Sequence, residues 1–434
     1  MDEMHILTAH VKNPSQCEIE TYEKNGGYQA IRKVLIVDKI TPENLIEMVK
    51  LSGLRGRGGA GFVTGLKWGF IPKDPALAKY LVCNCDESEP GTFKDRFLIE
   101  HDPHQLIEGV ILSSYAIGAH LAFIYCRGEF YEGIKKLKQA IIEARKKGYL
   151  GKNILDSSYS LNIIVHTGAG AYIAGEETSQ LNSLEGFRAT PRLRPPFPAI
   201  AGLYGKPTII NNVETLCNVV HIVNRGVEWF QSIGTPKNSG TKIFQVSGHV
   251  QRPGCYEFPL GVTLRNVLEA AGGCPPGRSF KACYPGGSSC ALLTTKDLDI
   301  SMDFETLAAR KSALGTASVI VMDETTDMVK VALRLMEFYQ NESCGKCTPC
   351  REGTRWMVQV LSRIEAGKGT YDDLKTIEEV CEQMAVTSFC PLAAGAAPPV
   401  VSAIHEFKKE FLDAIKRNTH ADQHPEMKVS YPYL

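Results

Sequence analysis

No sign of charge predominates in this sequence. Its 48 lysines and arginines are matched by 48 aspartates and glutamates, so the formal net charge is zero. That balance removes the electrostatic footprint of a nucleic-acid-binding protein or of one held on an anionic membrane. Long apolar runs are missing as well. The best candidate, residues 106–125, is interrupted by Glu108, Ser113, Ser114 and His120, and reads as a helix followed by a strand rather than a membrane span. The opening residues, MDEMHILTAH, carry early acids and lack the pattern of a secretory or mitochondrial targeting peptide, so none is expected. No internal repeat is present. Cysteine, by contrast, is frequent, with 14 copies. In a chain of this length without a signal peptide, a disulfide framework is not expected. The thiols read as reduced, several of them ligands and the others buried as small apolar groups.

The chain has 434 residues, too many for one core, and should divide into roughly two to four domains. Residues 1–65 form a lead-in, with a helix near 41–50 entered through Thr41 and Pro42. Across 66–238, apolar strands at 80–83, 121–126 and 161–166 alternate with helices at 105–118 and 131–147, and with another from about Ala171. That alternation predicts a parallel sheet with helical cover. Residues 187–207, dense in proline and arginine, predict an extended loop of functional character. Residues 239–325 read as a hairpin, then a helix capped by Thr263 with Val262 and Val267 as a staple, then a strand at 318–322. That order suggests a ubiquitin-like β-grasp domain. Residues 326–434 predict an antiparallel helical bundle, with helices near 327–340, 349–365, 371–385 and 396–416 and an extended tail after His420.

The sharpest motif lies in the bundle. Cys344, Cys347 and Cys350 form Cys-x2-Cys-x2-Cys, and Cys390 follows at a distance with Pro391 behind it. Three thiolates from one tight loop and a fourth from elsewhere suit a cubane iron–sulfur cluster. Thr348 and Pro349 read as a helix N-cap and first helical residue, which would aim backbone N–H groups at the cluster. Lys346 and Arg351 would offset its negative charge. The competing reading is a structural zinc site, although zinc usually takes two separated Cys-x2-Cys pairs. Cys83 and Cys85 also resemble ligands. Strand alternation places both on one face, and buried apolar cysteine is the better reading.

Four further segments carry glycine or polar clusters. In Gly53–Phe62, a G-x-G-x-x-G pattern follows a helix instead of a strand, so the dinucleotide-fold context fails and any Rossmann-like fold here is atypical. Its glycines, with Arg55, Arg57 and Lys67, would still let backbone amides approach a phosphate, and Phe62 and Phe70 could stack on a flat ring. The bland alternative is a flexible loop. Gly168–Thr178 follows a strand and opens a helix. Its adjacent Glu176 and Glu177 would repel a phosphate, and suit ribose hydroxyls and rejection of a 2′-phosphate better. They could equally be first-turn acids on a helix dipole. Asn84–Arg96 holds Asp86, Glu87 and Glu89 at a strand end, against the alternative of a solvated turn. Asn211, Asn212, Glu214 and Thr215 form the last cluster, against the alternative of a helix N-cap.

RGRGGAGF, CNCDESEPGTFKDR, GAGAYIAGEET, PRLRPPFP, GKPTIINNVET and ESCGKCTPCR…SFCP occur in this order across roughly residues 20–415. Together they resemble the NADH-binding flavoprotein subunit of respiratory complex I, the F-type subunit of NADH–quinone oxidoreductase. The resemblance implies an FMN-binding α/β domain, a ubiquitin-like domain and a bundle carrying one 4Fe–4S cluster. It implies FMN held by Gly56, Gly58, Lys67, Asn84, Asp86, Tyr172, Gly175, Asn211, Asn212 and Thr215. NADH would meet Arg57, Gly59, Phe62, Phe70, Glu176, Glu177 and Phe197, with the three phenylalanines around adenine. Glu87 would lie near the flavin's reactive edge and modulate it, with no side chain acting as an essential acid or base. Implied partners are a thioredoxin-like 2Fe–2S subunit of type E and a large multi-cluster subunit of type G, on the cytoplasmic face of a bacterial inner membrane. Cys85 departs from the alanine expected there, and residues 393–398 are looser than the usual pattern. The alternative is the diaphorase subunit of a soluble NAD-linked hydrogenase or formate dehydrogenase. Such homologues often carry fused thioredoxin-like or ferredoxin domains, which this sequence does not show.

Overall fold

The computed structural model describes residues 2–417, so the tail expected after His420 lies outside the described residues. The chain forms two compact units. One comprises Met1–Ser88, Thr92–Phe244 and Cys255–Val262, and the other Glu89–Gly91, Gln245–Gly254 and Thr263–Leu434. Residues 1–65 fall within the first unit.

In the first unit, helix α1 (Pro42–Leu51) is capped by Thr41, and α2 (Thr64–Gly69) follows the glycine loop. The sheet consists of β1 (Tyr80–Cys85), β2 (Leu121–Cys126), β3 (Asn162–Thr167) and β4 (Thr208–Asn212), in the order β3-β2-β1-β4 and parallel throughout. Its helices are α3 (Lys94–His101), α4 (Pro103–Ile117), α5 (Tyr131–Lys146), α6 (Glu177–Leu184) and α7 (Val213–Arg225). Alternation along β1 sends Leu81, Cys83 and Cys85 into the core shared with α4 and α7, and Val82 into the core shared with α6. Both faces are thus covered, as parallel sheets require. Cys85 and Cys126 are register partners whose sulfurs lie 3.5 Å apart, and Cys83 is fully buried. These are the apolar thiols that the alternation predicts.

The order of the sheet locates the site. The chain leaves β1 toward β2 and β3, then returns to the opposite side of β1 as β4. Ligands bind outside the carboxyl ends of the strands at such a switch point. Here that means the ends of β1 and β4.

Strand β5 (Thr241–Gly248) runs from the first unit into the second, and β6 (Gly254–Pro259) returns. The second unit continues with α8 (Leu264–Ala270), β7 (Phe280–Tyr284), β8 (Leu293–Thr294) and β9 (Ser318–Asp323). Strand β9 pairs parallel to β5 and antiparallel to β7. The bundle is α9 (Met328–Glu342), α10 (Thr348–Glu365), α11 (Tyr371–Thr387), α12 (Pro391–Glu406) and α13 (Lys408–Lys416). Each of the first four packs on the next, and α12 closes back on α9. The expected helix at 396–416 is corrected. It begins at Pro391, continues through Pro398 and Pro399, and breaks at Phe407. Among the described residues no helix is long and apolar enough to cross a membrane.

Candidate functional site

The glycine loop is a closed hairpin. Arg55 pairs with Val63, Gly56 N donates to Phe62 O at 2.8 Å, and Thr64 N donates to Leu54 O at 2.8 Å. Gly59 and Gly61 adopt φ of 124° and 65°, a region that side-chain-bearing residues seldom enter. Arg55 folds back onto Gly61 O at 2.7 Å. Arg57 is fully buried and donates through Nη2 to Ser239 O at 2.7 Å, and burial pulls its guanidinium down to about 10. The guanidinium braces the loop from inside, and the Arg57 amide donates to Thr215 Oγ1 at 2.8 Å.

The loop meets the switch point. A Cβ added to Gly58 would lie 2.9 Å from Asn212 Cβ, so glycine is what lets these backbones approach. Asn211 Oδ1 accepts from the buried Trp68 indole at 2.8 Å. At the end of β1, Asn84 Nδ2 donates to Gly175 O at 2.9 Å, while its Oδ1 accepts from Asp86 N at 3.1 Å. Gly175 ends the short 3-10 turn Tyr172–Gly175, which places half-buried Tyr172 beside the same cluster in sequence. The buried Glu87 carboxylate accepts from Asp95 N at 2.8 Å and Arg96 N at 2.9 Å, capping the first turn of α3. Burial, reinforced by Asp95, pushes the Glu87 carboxyl up to about 8.

The acidic pair divides its duties. Glu176, not a residue near Ala171, begins the helix. It is the N-cap of α6, and its Oε2 accepts from Thr178 N at 3.0 Å and Ser179 N at 2.8 Å. Glu177 instead faces Lys67, whose Nζ lies 2.8 Å from Oε2 and also donates to Ile210 O at 2.9 Å. Arg194 lies 3.3 Å from Glu177 and 3.7 Å from Glu176. Two cations therefore balance the two carboxylates, which weakens the expected repulsion of a phosphate. Phe62, Phe70 and Phe197 are all exposed, and the first two rings lie 6.2 Å apart.

Sequence reasoning misses a buried ionic network behind these residues. Lys94, Asp95, Glu214 and Lys242 are each at most 2% exposed. Burial alone would push the Glu214 carboxyl up, but Lys242, Lys94 and Arg57 outweigh it and hold the group ionised below its ordinary range. Burial also pulls the Lys242 ammonium down, to about 7, against the pull of Glu214. The Lys94-Asp95 pair stands inside one of the polar motifs, and Glu214 inside another. Nothing in the periodicity of residues 241–244 marks Lys242.

In the second unit, Cys347 is the N-cap of α10 and Cys390 the N-cap of α12. The expected cap at Thr348 thus moves back one residue, onto a cysteine. Two helix N-termini, each with proline in the first turn, begin at proposed ligands, an arrangement that favours negative charge. Gly345, at φ 75°, turns the loop. Ser343 Oγ lies 3.2 Å from Cys350 Sγ, and Phe389 N donates to Cys347 Sγ at 3.5 Å, which brings the Cys390 segment to the loop. The Lys346 ammonium lies 4.1 Å from the centre of the Phe389 ring. All 14 cysteines lie outside disulfides. Among the described residues no three His, Cys, Asp or Glu side chains close on one point as a single ion requires.

A switch-point ligand site on a parallel sheet and a cysteine centre in a helical bundle mark an iron–sulfur flavoprotein. Three family models match: the Nuo51 FMN-binding domain over residues 49–221, the SLBB domain over 243–291, and the NADH-ubiquinone oxidoreductase-F iron-sulfur binding region over 330–414. The second F subunit of the Rhizobium meliloti NADH-quinone oxidoreductase is 52% identical over 95% of this chain and 97% of its own length. The F subunit of the Escherichia coli enzyme is 47% identical over 96% of this chain and 95% of its own. A crystal structure of an NAD+-reducing NiFe-hydrogenase in the H2-reduced state superposes with a TM-score of 0.82 at 35% identity, over 95% of this chain and 67% of that one. The chain belongs to the family of NADH-quinone oxidoreductase F subunits.

Proposed function

We propose that this chain oxidises NADH at a bound FMN and sends the electrons singly through one 4Fe–4S cluster into a complex I-type assembly, toward quinone. The observation that carries the reading is the convergence of the glycine loop with Asn84, Asp86, Asn211 and Asn212 at the switch point of a family-typical fold. FMN, when bound, would supply the chemistry of accepting a hydride and passing electrons on singly. The protein supplies the cradle. Gly56, Gly58, Lys67, Asn84, Asp86, Tyr172, Gly175, Asn211, Asn212 and Thr215 would hold the flavin. Gly59, Phe62, Phe70 and Phe197 would line the NADH side, and Glu177 would accept the ribose hydroxyls. Glu87 modulates from beside the flavin without serving as an essential acid or base. Cys344, Cys347, Cys350 and Cys390 would hold the cluster.

Finer statements belong to the same proposal. The chain divides at about residues 65, 238 and 325 into lead-in, FMN/NADH domain, β-grasp domain and cluster bundle. Its neighbours are a 2Fe–2S subunit of type E and a multi-cluster subunit of type G, on the cytoplasmic face of a bacterial inner membrane. The hydrogenase-type reading is less favoured, because the quinone-oxidoreductase relatives are 45–52% identical and the hydrogenase chains 34–35%.

The purified chain is expected to show flavin and iron–sulfur absorption and to reduce ferricyanide with NADH. A colourless, zinc-containing protein would refute the proposal. A second expectation concerns the nucleotide. Glu177→Gln, which spares the Glu176 helix cap, should narrow the preference for NADH over NADPH by about tenfold or more, the loss of one charge-assisted hydrogen bond. Unchanged kcat/KM for both nucleotides would remove Glu177 from the ribose site.

A further inference from the structure

We propose that Lys242 and Lys94, acting through Glu214, are positioning residues that fix Asn212 and Thr215 for the flavin and tune its potential. The proposal rests on the FMN reading above.

Glu214 sits in the first turn of α7, between Asn212 and Thr215. Its Oε2 contacts Lys242 Nζ and lies 3.3 Å from Lys94 Nζ, while Oε1 accepts from Ile243 N at 3.0 Å. Lys94 also donates to Asn212 Oδ1 at 3.0 Å and to Asp95 Oδ1 at 2.6 Å. The other oxygen of Asp95 accepts from Asn212 Nδ2 at 2.6 Å. Asn212 is thus gripped at both ends of its amide, and its Oδ1 additionally accepts from Glu214 N at 3.1 Å. The hydroxyl of Thr215 accepts from Arg57 N, which joins the helix turn to the glycine loop.

An N-cap needs one hydrogen bond to start a helix. Burying Lys94 and Lys242 with Asp95 and Glu214 to start one is expensive, and apolar packing would usually do as well. A network whose members hold one another does something packing cannot. It locks the rotamers of polar residues that must meet a ligand in a single geometry. This network lies directly behind the switch point. Its charges also act at low dielectric, so each one biases a ligand that gains negative charge on reduction.

The two effects separate in two variants of the full chain. Lys242→Met and Glu214→Gln both loosen the grip on Asn212 and Thr215. Each should speed FMN release by between about tenfold and a hundredfold, read as flavin fluorescence recovered on dilution. Their effects on the flavin potential should differ. At about pH 6, where Lys242 carries its charge, removing it should make the potential more negative. Neutralising Glu214 also removes the partner that holds the Lys242 charge against burial, so the two changes offset and the potential should stay near that of the parent. A tenfold change in the preference for the reduced flavin is a shift of about 30 mV for a two-electron couple. Cluster EPR in the same samples reports an intact second unit. Release within twofold of the parent in both variants, or a potential in Lys242→Met that does not become more negative, would overturn the proposal. If Lys242→Met is insoluble, the isosteric Glu214→Gln decides alone, and unchanged release overturns it. A parent protein that holds no FMN refutes the functional reading itself, which is a different failure.

Discussion

Replacing Cys390 with serine is expected to abolish or alter the EPR signal of the cluster while leaving the flavin bound and NADH–ferricyanide activity largely intact. The substitution is chemically narrow. Cys390 caps α12 with extended backbone, and serine is among the best N-caps, so the helix should start as before. Pro391 and the Lys346–Phe389 contact remain to bring the segment to the loop. What changes is the donor atom, since iron–sulfur clusters are held by soft thiolates and a neutral hydroxyl is a poor replacement. Loss of an outer-shell partner alone costs up to about 100-fold in metal affinity, and loss of a ligand should cost more. Electron delivery to any acceptor beyond the cluster should fall accordingly. The flavin site lies in the other compact unit and draws none of its proposed ligands from the bundle. An unchanged cluster signal in Cys390→Ser would exclude Cys390 from the ligand set. Simultaneous loss of flavin would show that the two sites are not separable.

The legible parts of this protein are those with local patterns. Strands β1, β2 and β3 are apolar runs, and their sequence marks them within a residue or two. The cysteine spacing is local too, and the helix start near Cys347 follows from the placement of Pro349. Strand β4 reads as a polar N-cap cluster because it is short and ends in two asparagines. Asn212 does both jobs, closing the strand and capping α7. Helix α12 begins at Pro391, ahead of the expected start at 396, and runs through Pro398 and Pro399. The glycine loop fails the dinucleotide rule because its position is set by sheet order, which no local pattern encodes. The pairing of Lys242 with Glu214 is hidden for the same reason. They meet only once β5 is laid beside α7, and a lysine in an alternating strand reads as a solvated face. Arg57 is hidden in another way, because it is a basic residue among glycines whose guanidinium the fold turns inward onto Ser239 O.

That inward packing sharpens what the glycines are for, and Gly58→Ala tests it. Gly58 does not occupy the left-handed region, so alanine is allowed there by its backbone, and any effect must be steric. The new methyl would stand 2.9 Å from Asn212 Cβ and 3.4 Å from Cγ, inside contact distance. A flexible neighbour would move aside at little cost. Asn212 is held by Lys94, Asp95 and the amide of Glu214, so the loop must move instead. Overpacking of this kind costs about 1–3 kcal/mol of stability. Displacing the loop by even about 1 Å from its ligand should cost up to a hundredfold in function. The expected product is a folded protein that purifies with little or no flavin and oxidises NADH at least about tenfold more slowly until FMN is added in excess. Gly69→Ala is the matching control, because a Cβ there meets nothing within 4 Å. If Gly58→Ala keeps its full flavin complement, the clamp on Asn212 is not rigid. The glycine would then serve only the turn of the loop, and the case for a preorganised flavin cradle would lose its main steric support.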